Sequence, residues 1–180
     1  MNNFILPNRD EVSPGNRKYF DFFYERLGMM PNLYAMMTYA DQALESYVRL
    51  QNRKQKLNLK ERAVVSLVVA AVNGSAYCLE THTMIAHLNG FTEEQVTEIK
   101  TGTAGFDHRL HVLARITHGI AVTRGKPDEV LLEAFYSVGY TTGHLVDLIV
   151  SIGDNTISNL LCQVMQVPPD QNSLHHLNHK

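Results

Sequence analysis

The chain of 180 residues has little of several features that define other protein classes. It has two cysteines, too few for the disulfide framework of a small secreted protein. It has no long block of like charge, and its sixteen basic and eighteen acidic side chains give a formal charge of −2. We therefore expect no binding to nucleic acid or to an anionic membrane surface. A glycine-rich phosphate loop and a dinucleotide-binding fingerprint are also missing, so no cofactor is predicted.

Long apolar segments are missing as well. The longest run, Ala63–Val72 interrupted only by Ser66, is about half of the roughly 20 residues that cross a bilayer. The first residues, Met1-Asn2-Asn3-Phe4, lack the basic and apolar segments of a signal peptide. These features predict a cytosolic protein that does not enter a membrane, with both cysteines in a reducing compartment.

What the sequence does contain is apolar residues at three- and four-residue spacing, the pattern of amphipathic helices. No segment alternates like a strand with hairpin turns. We predict helices over 19–27, 31–55, 59–74, 77–89, 92–100, 107–123, 125–139 and 142–165. The fold class is therefore all-α, in one domain over 1–170, with 171–180 as a flexible tail. The helices have wide apolar faces for so small a chain. We therefore predict a homo-oligomer, in which another copy of the chain covers part of this apolar surface.

A small group of chemically capable side chains lies at the start of the helix after Gly74. Ser75, Cys78 and His82 are spaced i, i+3 and i+7, so they share one helical face. With Ser75 as N-cap, Cys78 is the third helical residue, where the helix dipole favours a thiolate, and His82 can exchange its proton. A single cysteine in an apolar helix is also typical of plain core packing.

The residues around this group resemble a known family. The resemblance runs through Leu59-Lys60-Glu61-Arg62, the motif from Asn73 to His82, and Gly90-Phe91-Thr92-Glu93-Glu94-Gln95. These segments resemble the AhpD-like carboxymuconolactone decarboxylase superfamily. Further segments resemble its peroxidase-related branch, namely Leu27 to Leu33 and Gly139 to Asn159.

The resemblance implies an all-α, AhpD-like helical bundle that forms homo-oligomers and reduces peroxides through a Cys-x-x-Cys-x-x-x-His motif and a relay glutamate. Here the first motif cysteine is Ser75 and the expected glutamate is Ala63, so Cys78 and His82 alone carry over. Neither Glu61 nor Glu80 is predicted to replace the relay acid, because each lies on the wrong face of its helix. Without a thiol at Ser75, the motif cannot form an intramolecular disulfide.

Three functions remain open. The first is thiol-dependent reduction of a small hydroperoxide by Cys78, with His82 as proton partner and an external thiol, or Cys162, resolving the sulfenic acid. The second is a catalytically degenerate oligomer, a dimer, trimer or hexamer, that binds a small hydrophobic ligand or a partner. The third is cysteine-independent proton transfer by His82, as in the family's decarboxylase chemistry. The candidate catalytic residues are Cys78, His82 and Ser75.

The remaining polar residues are given structural roles. His108, His111 and His118 share a helical face but lack a carboxylate or cysteine at ligand spacing, so no metal site is predicted. A site that combines Cys78 and His82 with His144 or Asp147 is a minor alternative. Tyr77 is expected to be a partly buried structural residue. Asn155 and Asn159, four residues apart, are expected to make ordinary side-chain hydrogen bonds.

Overall fold

The computed structural model describes residues 5–170, and within this range every regular element is helical. A 3₁₀ turn at Arg9–Glu11 precedes the helices. The helices are α1 (Pro14–Leu27), α2 (Asn32–Met37), α3 (Ala43–Gln51), α4 (Leu59–Asn73), α5 (Ala76–Leu88), α6 (Glu93–Lys100), α7 (His108–Thr123), α8 (Glu129–Ser137) and α9 (Thr142–Val164). The predicted all-α class is confirmed. The tail 171–180 lies outside the described residues.

The described residues form two compact units. The first consists of 5–53 with 161–170, and the second of 54–160. All three candidate catalytic residues belong to the second unit. Cys162 belongs to the first, where it is buried. The single domain over 1–170 stays a prediction.

The helix predicted over 31–55 is wrong, because α2 and α3 are separate helices of the first unit. Thr38 ends α2: its hydroxyl donates to the carbonyl of Ala35 (2.6 Å), and its own carbonyl accepts from the buried Asn16 amide (3.1 Å). The next two amides, of Tyr39 and Ala40, bond three residues back instead of four. The tight turn is stabilised by the Asn16 side chain of α1. The spacing of apolar residues does not reveal this contact.

Helix α4 is the centre of the second unit. It begins with a capping box in which Asn58 accepts from the Glu61 amide and Glu61 accepts from the Asn58 amide. Most of its apolar side chains are fully covered, including Val64, Leu67 and Val68, whereas Leu59 at its start is exposed. Helices α5, α6 and α7 pack against it, and α8 packs against α7. Residues buried on nearly all sides explain the continuous apolar run of this segment.

Helix α9 has one face on this core and one face outside it. Leu148 is fully buried, and Leu145 and Ile152 pack beside it. By length and composition alone, α9 is the one helix in residues 5–170 that is long and apolar enough to cross a membrane. The length of uninterrupted apolar runs does not reveal this property of α9, because polar residues interrupt its apolar sequence. One of them, Asp147, accepts a hydrogen bond from the Lys56 amide at 2.8 Å, which ties α9 to the second unit.

Candidate functional site

The corner between α4 and α5 places the candidate residues. Gly74 ends α4 in the left-handed conformation, with φ of 68°, which strains any residue with a Cβ. The Ser75 amide then donates to the carbonyl of Ala70 (3.1 Å), and the Ser75 carbonyl accepts from Leu79 as the first bond of α5. A single residue therefore closes one helix and opens the next, which fixes the start of α5 tightly.

Cys78 is the third residue of α5, and His82 follows one turn later. The amides of the first turn have no acceptor inside the helix, and the positive end of the helix dipole lies there, so negative charge on sulfur is stabilised at this position. Cys78 is buried, at 2% exposure, while His82 is only partly buried. Within the described residues Cys78 is not part of a disulfide.

The His82 ring is neutral at physiological pH. Burial lowers its pKa to about 4, and a hydrogen bond to the side chain of Asn155 opposes this decrease. Asn155 is itself buried in α9, and its amide nitrogen donates to the carbonyl of Ser151 at 2.8 Å. The bond between Asn155 and His82 favours the charged ring, which is the effect of an Asn155 oxygen that accepts from a ring N–H, and His82 then keeps its second nitrogen as a proton acceptor.

A second contact joins α9 to the α4–α5 corner. The side-chain nitrogen of Asn73, at the end of α4, donates to the side-chain oxygen of Asn159 at 2.9 Å. Asn159 is completely buried. The pair Asn155 and Asn159 therefore bonds to both ends of the segment that contains Cys78. The sequence alone predicts ordinary side-chain hydrogen bonds for these two asparagines, and their i, i+4 spacing is the signal for one polar face on α9.

The two departures from the family motif are both buried. Ala63 is part of the apolar core at 3% exposure, so a longer acidic side chain has no polar surroundings there. Ser75 is the N-cap of α5 as predicted, but its hydroxyl accepts no capping hydrogen bond. That hydroxyl is buried without a hydrogen-bond partner. Tyr77 is buried as well, at 5% exposure.

Glu61 has a different role from a relay acid. Its Oε1 accepts from the Tyr140 hydroxyl at 2.9 Å and lies 3.3 Å from Nε of Arg109, while its Oε2 caps α4. The Arg109 guanidinium lies over the Tyr140 ring, 4.2 Å from its centre. Burial raises the pKa of the Tyr140 hydroxyl, so this group stays a hydrogen-bond donor. The cluster fixes α4, α7 and the start of α9. Glu80 is exposed.

Three other histidines, His111, His118 and His144, make local contacts. His111 accepts from the Ala104 amide at 3.2 Å, and His144 accepts from the Thr141 amide at 3.1 Å. The His118 side chain covers Gly102, where an added Cβ meets it at 2.9 Å. Among residues 5–170, no three His, Cys, Asp or Glu side chains are grouped to hold a metal ion.

A comparison with protein families matches one segment of the chain. Residues 33–107 match the carboxymuconolactone decarboxylase family, and this range contains α4, α5 and the Ser75, Cys78 and His82 positions. No curated protein sequence matches the chain significantly.

Solved structures show the same fold over nearly the whole chain. The alkylhydroperoxidase AhpD core, a peroxidase-related protein from Ralstonia eutropha JMP134, superposes with a TM-score of 0.83 at 14% identity, covering 94% of this chain and 92% of its own. A peroxidase-related protein from Silicibacter sp. TM1040 gives 0.81 at 19% identity, covering 97% and 92%. The debrominase Bmp8 gives 0.77 at 13% identity, covering 99% and 97%. At these identities the likeness concerns the fold alone.

Proposed function

Since residues 33–107 match the carboxymuconolactone decarboxylase family and the fold is that of peroxidase-related structures, we propose that the chain is a member of this AhpD-like superfamily and that it reduces hydroperoxides with Cys78 as the reacting thiol and His82 as its proton partner. The observation that carries this function is the first two turns of α5. It puts a cysteine at the third helical position and, one turn later, an imidazole kept neutral by burial and held by Asn155.

The neutral imidazole determines the direction of proton transfer. Because the pKa of His82 is lowered to about 4, the ring starts without the proton; as a weak base it accepts the proton from the Cys78 thiol during the attack on the peroxide rather than before it. The sulfur attacks one peroxide oxygen: the S–O bond forms, the O–O bond breaks, sulfur is oxidised to sulfenic acid, and the peroxide is reduced. His82 returns the proton to the leaving oxygen, so a thiol and ROOH give a sulfenic acid and ROH.

Recovery of the thiol requires a second thiol. The motif supplies none, since its other position is Ser75. An external thiol therefore attacks the sulfenic acid, with loss of water, to form a mixed disulfide, and a second external thiol releases Cys78 and leaves as a disulfide. Low-molecular-weight thiols are abundant in the cytosol, and a cytosolic location is part of this proposal.

Access to the site is from the side of the histidine. Cys78 is covered almost completely, whereas His82 is partly exposed. A small peroxide that enters beside the imidazole meets the sulfur and its proton acceptor together. The substrate class is accordingly a small hydroperoxide rather than a bulky one. A homo-oligomer, a dimer, trimer or hexamer, is also part of the proposal and is supported by the exposed apolar face of α9.

A catalytically degenerate binding protein is the second candidate. The observation in its favour is that both working positions of the family motif are replaced, by Ser75 and by Ala63 in the core. The fold itself accommodates small rings, because a cysteine-to-alanine variant of the debrominase Bmp8 has been solved in complex with 2,3,4-tribromopyrrole, with a TM-score of 0.75 to this chain. Such a protein keeps the pocket and lacks turnover.

Single substitutions distinguish the candidates in a turnover assay with an organic hydroperoxide and a monothiol. We expect Cys78→Ser to abolish turnover and His82→Gln to reduce it by about 100-fold, the usual size of a general-base contribution. Cys162→Ser, the matched control, is expected to keep the wild-type rate. Activity on a lactone or carboxylated substrate that survives Cys78→Ser and is lost in His82→Gln would contradict the proposal and support proton transfer by His82.

A further inference from the structure

Three buried side-chain donors in the second unit have no hydrogen-bond partner: the Thr83 hydroxyl, the Ser75 hydroxyl and the Asn159 side-chain nitrogen, of which the last two concern the α4–α5 corner. The Ser75 hydroxyl lies in a residue that is 1% exposed, and the Asn159 side-chain nitrogen lies in a residue that is 0% exposed; neither atom has a hydrogen bond. A buried polar group without a partner costs roughly 1–3 kcal/mol. Such groups are rare in native structures, and a bound ligand is one explanation for them.

The two donors belong to the same end of α5. Asn159 is bonded through its oxygen to Asn73, two residues before Ser75. Along α5 the order is Ser75, Cys78, His82, and along α9 the matching order is Asn159, then Asn155, which bonds to His82. The two rows run in opposite directions, so Cys78 lies between the donor pair at one end and the His82–Asn155 pair at the other.

We propose that Ser75 Oγ and Asn159 Nδ2 form an oxygen-binding subsite that holds the leaving oxygen of the hydroperoxide beside Cys78. The inference rests on the proposed function and assigns its substrate contacts. As sulfur takes one peroxide oxygen, the O–O bond breaks and the other oxygen gains negative charge. In this proposal both donors hydrogen-bond that oxygen and, with the positive end of α5, stabilise its charge until His82 supplies the proton.

This subsite gives Ser75 a purpose other than that of a lost cysteine. A thiol is a weak hydrogen-bond donor, whereas a hydroxyl is a good one. With serine at this position the motif exchanges an intramolecular resolving thiol for a donor to the substrate. The same donors do not assist reactions of Cys78 in which the leaving group is not an oxygen.

The first test separates the two kinds of leaving group. We expect Ser75→Ala to slow the oxidation of Cys78 by tert-butyl hydroperoxide at least about tenfold. Alkylation of the same thiol by iodoacetamide, whose leaving group is iodide, should change by less than twofold. The matched control is Ser158→Ala, which removes a buried hydroxyl bonded within its own helix to the Asn155 carbonyl, at 2.9 Å; it should leave both rates unchanged. Equal slowing of both reactions by Ser75→Ala, or none of either, would overturn the subsite.

The second test does not depend on the reactivity of Cys78. In Cys78→Ala protein labelled with ¹⁵N, titration with tert-butyl hydroperoxide should shift the side-chain amide resonance of Asn159, and the added substitution Ser75→Ala should weaken the binding about tenfold or more. An Asn159 resonance that does not move excludes the subsite whether or not Cys78 is reactive. If the Asn159 resonance shifts in this variant while Cys78 of the wild type reacts no faster than Cys162, the subsite is kept and the peroxidase function is refuted.

Discussion

His82 is the residue whose environment says most about the chemistry. A histidine at the surface is a mixture of charged and neutral forms near neutral pH, with a pKa of about 6.5. Here burial lowers the pKa to about 4, and the Asn155 oxygen selects which ring nitrogen carries the proton. The outcome is a neutral, oriented imidazole one helical turn after a cysteine at a helix N-terminus. Neither property follows from the spacing of Cys78 and His82 alone.

The lowered pKa predicts how stability depends on pH. Between about pH 6.5 and 4 the unfolded chain binds a proton at His82 and the folded chain does not, so the free energy of unfolding falls as the pH decreases through this window. Above pH 6.5 the free energy of unfolding is not affected by protonation of His82, and by about pH 4 it is lower by about 3 kcal/mol at most. We expect His82→Gln to flatten this part of the profile, measured by urea unfolding at several pH values. An unchanged slope would show that His82 titrates normally in the folded protein.

At the scale of single elements, the turn between α4 and α5 decides what chemistry is available. Gly74 provides the left-handed turn, Ser75 serves both helices, and three residues later comes Cys78. Two thiols at these two positions could close a disulfide within the first turn of α5, as in the family motif that the sequence resembles. Restoring the cysteine at 75 alone is the practical substitution, since Ala63 lies in the apolar core.

We expect Ser75→Cys to change the reductant that the protein uses. After peroxide treatment the variant should form an internal disulfide, detected as a mass 2 Da below that of the reduced protein, and should accept electrons from a dithiol. The wild type should turn over with a monothiol instead, and Ser75→Cys combined with Cys78→Ser should be inactive. Turnover in Ser75→Cys together with none in the wild type would identify the natural protein as the degenerate member.

The sequence predicted most elements because their signals are local. The capping box of Thr92 and Gln95, the left-handed Gly28 at the end of α1 and the span of α9 are all found as expected. The break between α2 and α3 could not be predicted, because it depends on a hydrogen bond from Asn16 to the Thr38 carbonyl, 22 residues away. The Asn155 and Asn159 contacts also join distant segments, so the pattern located Ser75, Cys78 and His82 but not their partners.

At the scale of the whole molecule, the outer face of α9 has no partner within the second unit. Four apolar side chains at helical spacing are about half exposed there, namely Val146 (55%), Ile149 (53%), Ile157 (49%) and Leu160 (55%). A continuous apolar face of this kind is typical of an interface between subunits. It also explains why α9 has the composition of a membrane-spanning helix while its other face packs on the core of the second unit.

Self-association through this face can be tested by one charge. We expect the wild type to sediment as a dimer, trimer or hexamer and Ile157→Glu to sediment as a smaller species, because a buried unpaired carboxylate opposes association. Val130→Glu is the control, since Val130 is an apolar residue with 67% exposure that lies on α8, outside the α9 face. A monomeric wild type, or an Ile157→Glu variant that assembles like the wild type, would mean that the α9 face is not the interface.

The reactivity of the Cys78 thiol decides between an enzyme and a binding protein. The measurement is the rate at which each cysteine is oxidised by an organic hydroperoxide from pH 5 to 10, followed by mass spectrometry, with the buried Cys162 as internal reference. An activated thiolate predicts that Cys78 reacts at least tenfold faster than Cys162 at pH 7, with a midpoint below the ordinary thiol value of about 8.5. Oxidation of Cys78 no faster than that of Cys162 would contradict the peroxidase mechanism and leave the binding protein.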